Sequence, residues 1–157
     1  ILSKKQKSHL SRFELAKAYA RRVVANPGLS AQYEAPLRYW KTKKKKNNMG
    51  IYQMAIMDFM NPPKILKAGF INTGRGAGPA VRIEAADILR VAGVSVRILS
   101  PKGKTLEEGE GLAVPSGAGF IYVVKDPSLL QKGSILRVSV WDVPGNMTEQ
   151  DLEPILY

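Results

Sequence analysis

At 157 residues, 45% of them hydrophobic, the chain suits one ordinary domain or a small domain with an appendage, and it can bury a core. The lack of cysteine excludes a disulfide scaffold, a thiolate nucleophile and a cysteine-ligated metal, and the single histidine, His9, cannot form a histidine metal site alone. The formal net charge of +11 is uneven: residues 1–62 hold 13 Lys and Arg against 3 Asp and Glu, whereas residues 63–157 hold 11 against 10.

In chain order, the hydrophobic pattern is helical up to Pro62-Pro63 and alternating beyond it. A first helix is predicted over about Lys4 to Ala25. Leu10, Phe13, Ala16, Ala20 and Val23 recur there at steps of three or four, on one face. Asn26-Pro27-Gly28 reads as its stop. Ser30 is the expected N-cap of a second helix, which Pro36 kinks or restarts, with Tyr33, Leu37 and Trp40 turned inward. Lys43, Lys44, Lys45 and Lys46, followed by Asn47 and Asn48, form a polar loop. A third helix is predicted from about Met49 to Met60, with Tyr52, Ala55, Ile56 and Phe59 on its apolar face. Two consecutive prolines then end helical structure.

From Lys64 onward, turn signals arrive every 8 to 12 residues, as in a sandwich of short strands. Strands are predicted at about 64–70, 79–85, 91–99, 104–112, 118–124, 134–141 and 147–155. Their alternation nominates Val81, Ile83, Val94, Val96, Ile98, Leu136, Val138 and Val140 as core. Seven strands without an intervening helix argue for an antiparallel sandwich behind a helical segment, an α+β chain with its division near residue 62.

The features able to carry chemistry are few. The run Lys43, Lys44, Lys45, Lys46, with Arg21 and Arg22 on the first helix, is the candidate polyanion-binding set. It can neutralise phosphates of nucleic acid or of an anionic lipid surface, or serve only as a solvated loop and helix face. The aromatics Phe13, Tyr33, Trp40, Tyr52 and Phe59 fall at core spacing, not where stacking platforms would stand. Gly74-Arg75-Gly76-Ala77-Gly78 lacks the following helix that a phosphate-binding loop requires, so it reads as an inter-strand loop. Among Glu107, Glu108 and Glu110, alternation turns Glu107 to the opposite face, which suits a solvated edge strand better than a calcium site. Asp87, Asp142 and Asp151 are single carboxylates in the sequence, and whether they converge is decided by the fold. No catalytic constellation emerges, so a non-enzyme without cofactor or metal is expected. No run of 18 apolar residues can span a membrane as a helix. The chain begins at Ile1, which leaves preceding residues, a cleaved leader included, open.

Three stretches carry a resemblance. VAGVSVRILSPKGKTLEEGEG resembles the strand, tight turn and return strand of bacterial immunoglobulin-like or fibronectin-type domains. GSILRVSVWDVPGN resembles their penultimate strand, whose usual ending is V-x-A-x-D-x-x-G-N. Asp142 matches the Asp, and Gly145-Asn146 the Gly-Asn. RFELAKAYARRVVANPGLSAQYEA, followed by YQMAIMDFMNPPKI, is similar to an uncharacterised bacterial family that joins a basic helical segment to such a domain. The resemblance implies a helical segment of two to three helices over residues 1–62 and a seven-stranded antiparallel immunoglobulin-like β-sandwich over 63–157. It implies a structural or protein-binding module, whose partner is another copy or another protein. The alternative is a nucleic-acid-associated protein using the basic segment. The lack of cysteine fits a reducing compartment, yet bacterial surface domains often lack it too, so cytoplasm and cell surface are not distinguished.

Overall fold

Ser3 sets the start of the first helix. Its hydroxyl accepts the Gln6 N–H at 3.3 Å while Gln6 Oε1 accepts the Ser3 N–H at 2.8 Å, so two donors that a helix start leaves over are satisfied reciprocally. Helix α1 then runs Lys4–Ala25 in a computed structural model that describes residues 1–45, 48–72, 78–117 and 119–154. It ends at Asn26, which also caps the next helix. Asn26 Oδ1 accepts from the Leu29 N–H, and Pro27 fills the first helical position, where no N–H is needed. Asn26-Pro27-Gly28 thus stops one helix and starts α2, Pro27–Gln32. The predicted cap Ser30 lies inside α2, its hydroxyl donating to the Val23 carbonyl at 2.9 Å. Helix α3, Glu34–Lys43, carries Pro36 in its first turn, where proline is tolerated, and α4 spans Ile51–Met60. Four α-helices therefore stand among the described residues of 1–62, where two to three were expected.

The chain divides into two compact units. The helical unit takes residues 1–62 together with two later loops, Asp87–Leu89 and Val143–Asn146. Its core is Tyr19, Ala20, Val23, Tyr33, Met54 and Ala55, with Ile88 and Leu89 of the first loop packed against it. The second loop is held by Asn146. Its amide donates to the Phe59 carbonyl at 2.9 Å and accepts from the Arg12 guanidinium at 2.8 Å. Two expected core residues of α1 are outside: Leu10 is 49% exposed and Phe13 37%. At 1.5 Å per residue the ten-residue α4 spans about 15 Å and cannot cover a helix of 22 residues, so burial is confined to Ala16, Tyr19, Ala20 and Val23. On α4 the buried set is Met54, Ala55 and Asp58, while Tyr52, Ile56 and Phe59 are half-buried.

The sheet unit contains β1 Lys64–Asn72, β2 Pro79–Ala86, β3 Val91–Leu99, β4 Thr105–Glu110, β5 Leu112–Ala113, β6 Phe120–Val123, β7 Ile135–Asp142 and β8 Met147–Leu152. All pair antiparallel, in two four-stranded sheets ordered β1-β2-β6-β5 and β4-β3-β7-β8. The eighth strand comes from Gly111. The stretch predicted as one strand over 104–112 breaks there. The Gly111 N–H stays with the Val94 carbonyl at 2.9 Å, while Leu112 and Ala113 pair with β6 in the other sheet. A side chain at 111 would press on Val94 at 3.2 Å, so glycine suits the crossing. Both sheets contribute to one core, in which all eight nominated residues are at most 1% exposed.

Two contacts pin the sheets. Glu107 turns inward from β4, as alternation predicts, and accepts three hydrogen bonds: Tyr122 Oη at 2.6 Å, the Lys125 N–H at 2.8 Å and the Asp126 N–H at 2.9 Å. Burial pushes the Glu107 carboxyl up, but these three donors together hold it below the ordinary glutamate value of 4.5. Because the folded value is depressed, this stabilisation is complete above 4.5 and is lost as the pH falls through the folded value. Glu107→Gln replaces one acceptor by an N–H₂ facing backbone donors, so it should lower stability by about 2 kcal/mol at neutral pH. Urea unfolding should show that the loss shrinks toward pH 3, where the wild-type carboxyl is being protonated.

The second contact is Trp141, cross-strand partner of Gly93. It lies on the face opposite Val140, and its indole rests directly over the glycine, where a Cβ would come within 2.3 Å of Cζ2.

Candidate polyanion-binding surface

The cations of the helical unit are exposed and largely uncompensated. Lys4, Lys5, Lys7, Arg21, Arg22, Arg38, Lys41, Lys43, Lys44 and Lys45 all lie in solvent, and none forms an ion pair among the described residues. Lys17 is bridged to Glu14 at 2.6 Å, and Arg12 is used on the Phe59 carbonyl and Asn146. In the sheet unit Lys64, Lys67, Lys102, Lys104, Lys125 and Lys132 are likewise exposed and form no ion pair among the described residues, but three arginines are matched to acids. Arg82 faces Glu84, Arg97 faces Glu149, and Arg137 holds Asp151 at 2.7 and 3.0 Å. Its hydrogen bond and charge keep the Asp151 carboxyl below its usual range.

The sequence-nominated set falls into two groups. Arg21 and Arg22 are exposed near the end of α1, with the Arg22 guanidinium 5.6 Å from the Tyr19 ring centre. Lys43 is the last residue of α3, Lys44 its C-cap, and Lys45 follows in a left-handed conformation at φ 52°. Lys46 lies outside the described residues, as does 73–77 of the glycine-rich loop. Lysines at a helix C-terminus also favour the negative end of its dipole, so part of their role is local.

The densest charge is on α3, where Arg38 and Lys41 precede the nominated lysines. Between them stands Tyr39, 54% exposed, which spacing arguments had not singled out. Its neighbours Leu37 and Trp40 are only half-buried, and the apolar stripe of α3 is narrow. An aromatic flanked by cations on both sides was the available signal. Of the five aromatics expected in the core, Tyr33 is fully buried, Trp40, Tyr52 and Phe59 are partly buried, and Phe13 is exposed, with the Lys17 ammonium 5.5 Å from its ring centre.

Two other groups bear on chemistry. Inside the helical unit, Tyr19 and Tyr33 hydroxyls meet at 2.7 Å, and Tyr33 donates to Asp58 Oδ2 at 2.6 Å. Burial, then the hydrogen bond to Asp58, push the Tyr33 phenol far above its usual 10.0. A carboxylate oxygen of Asp87 lies within 4.8 Å of one of Asp58. In the sheet unit, a groove of about 250 Å³ is lined by Lys67, Gly69, Phe70, Ile71, Arg82 and Glu84, and its one carboxylate is tied to Arg82 at 3.4 Å. His9 is exposed on α1. Among the described residues no helix is long and apolar enough to cross a membrane.

No protein-family model matches the chain, and no curated protein or solved structure shows significant similarity to it.

Proposed function

We propose that this chain is a non-enzymatic binding module, in which an immunoglobulin-like sandwich is the scaffold and the helical unit offers a cationic surface to an anionic partner. Strand order supports the first part. The sheet β1-β2-β6-β5 follows the A-B-E-D order of immunoglobulin domains, and β4-β3-β7-β8 follows their C-F-G sheet with one added strand beside C. Such sandwiches host many unrelated roles, so function rests on the surface. The observation that carries the anionic partner is the concentration of uncompensated charge: residues 1–62 hold 13 Lys and Arg against 3 Asp and Glu, and ten of those cations are exposed without an ion pair among the described residues, whereas residues 63–157 are nearly balanced at 11 against 10. Non-enzymatic action is supported by the groove, whose single acid is neutralised, and by the exposure of the one histidine.

Binding follows counterion release. If about four cations contact phosphates of a single strand, log Kobs should fall with log salt at a slope of about −3. Anisotropy titrations of a labelled mixed-sequence oligonucleotide across a salt series measure it, and binding that is absent or insensitive to salt would remove the reading. A protein partner is the second reading, favoured by Leu10 and Leu15, which are 49% and 61% exposed on the basic helix α1, and by Leu2 just before it, 48% exposed. Saturable binding that survives high salt would move the assignment there.

A further inference from the structure

Resting on the anionic-partner reading, we infer that the segment 38–45 binds single-stranded nucleic acid, with Tyr39 as the platform for an unpaired base and Arg38, Lys41, Lys43, Lys44 and Lys45 as its phosphate contacts. Three observations converge on this segment. Five cations fall within eight residues, and the nearest acid on the same helix, Glu34, sits at the opposite end, about 14 Å from Lys43 at the rise of an α-helix. Tyr39 is the most exposed aromatic among the described residues, and its hydroxyl makes no hydrogen bond among them. Tyr39 and Lys43 lie one turn apart, as do Arg38 and Lys41, so a ring and a cation alternate with two further cations along the outward side of α3.

The third observation is conformational. Lys45 is the one non-glycine residue with positive φ among those described. Glycine or asparagine usually follows a helix in this conformation, and an ordinary side chain there costs about 1 kcal/mol. A lysine at a position where glycine would be more stable fits a site that uses its charge.

The chemistry of the ring selects the ligand. In a duplex the base faces are covered by their neighbours, whereas an unpaired base can leave the strand and stack on an exposed aromatic. A membrane surface would reward the lysines and give a lone phenol ring on the polar face of a helix little to bury in.

The test uses the full chain and three probes: a labelled oligothymidylate, a duplex of the same length, and vesicles containing anionic lipid. Oligothymidylate should bind tightest. Tyr39→Ala should weaken it about tenfold while changing duplex affinity less than about twofold, and Tyr39→Phe, which keeps the ring, should bind like wild type. Replacing Lys43, Lys44 and Lys45 by Gln should weaken all three probes. The ring is exposed, so an unchanged thermal midpoint certifies that the alanine variant is folded, and the Phe variant gives an independent reading if it is not. Equal losses on strand and duplex, no loss on either, or preference for vesicles or duplex would each overturn the stacking role while leaving an anionic partner standing. Failure to bind any of the three overturns both.

Discussion

Gly93→Ala should destabilise the sheet unit by about 3 kcal/mol, near the upper end of what overpacking costs. The new Cβ would lie 2.3 Å from Cζ2 and 2.6 Å from Cε2 of Trp141. These are atoms of the ring body, so no small rotation at a flexible tip relieves the contact. The indole must swing off β3 and lose its packing, or the β3–β7 pair must part. The same alanine in a Trp141→Ala background should be neutral or stabilise by a few tenths to 1 kcal/mol, because strand glycines cost conformational entropy and nothing remains to be displaced. Chemical denaturation of the two single variants and the double variant checks this. An alanine that costs the same with and without the indole would show that the glycine is kept for a reason other than Trp141.

Tyr33→Phe should cost about 3 kcal/mol, although it removes a single oxygen. Tyr33 and Asp58 are both fully buried, and Tyr33 is the 2.6 Å donor to Asp58 Oδ2. Phenylalanine fills the same volume but takes that donor from a desolvated carboxylate and leaves the Tyr19 hydroxyl without its 2.7 Å neighbour. A distinctive pH dependence accompanies it. The Tyr33 phenol is raised above its unfolded value of 10.0, so its contribution is complete below pH 10 and declines as the pH rises further, by about 1.4 kcal/mol per pH unit. Tyr122, raised by burial and by Glu107, adds a parallel decline. Stability from urea unfolding should therefore be level from pH 8 to about 9.5 and then fall toward pH 11 in wild type, and about half as steeply over that upper range in Tyr33→Phe. Equal slopes would mean that Tyr33 ionises alike in the folded and unfolded chain.

The sheet core was legible because period-two alternation depends only on neighbours along the strand. Val81 and Ile83, Val94 to Ile98 and Leu136 to Val140 needed no knowledge of what faced them. Strand count failed at Gly111, where the chain changes sheets without a turn signal. On the helices, α1 was placed correctly end to end, yet its buried face was misjudged. Helical periodicity tells which residues share a side and leaves open how far the covering element extends, so Leu10 and Phe13 looked like core. Asp58 was invisible for the opposite reason, since a lone acid among apolar residues gains meaning only once Tyr33 is brought to it from 25 positions away. The lysine run was evident in the sequence. Tyr39 was not, because its exposure depends on how little of α3 is covered.

The helical unit is completed late in the order of synthesis. Its four helices are synthesised before the loops that complete it: Ile88 and Leu89 must follow before the core can close, and the clamp made by Asn146 joins Phe59 across 87 positions and Arg12 across 134. Contacts between such distant positions are slow to form, because the loop between them must be ordered before they reward it. Until residue 146 has emerged, the nascent chain presents a strongly basic, half-assembled set of helices to its surroundings, including the polyanionic ribosome from which it is growing.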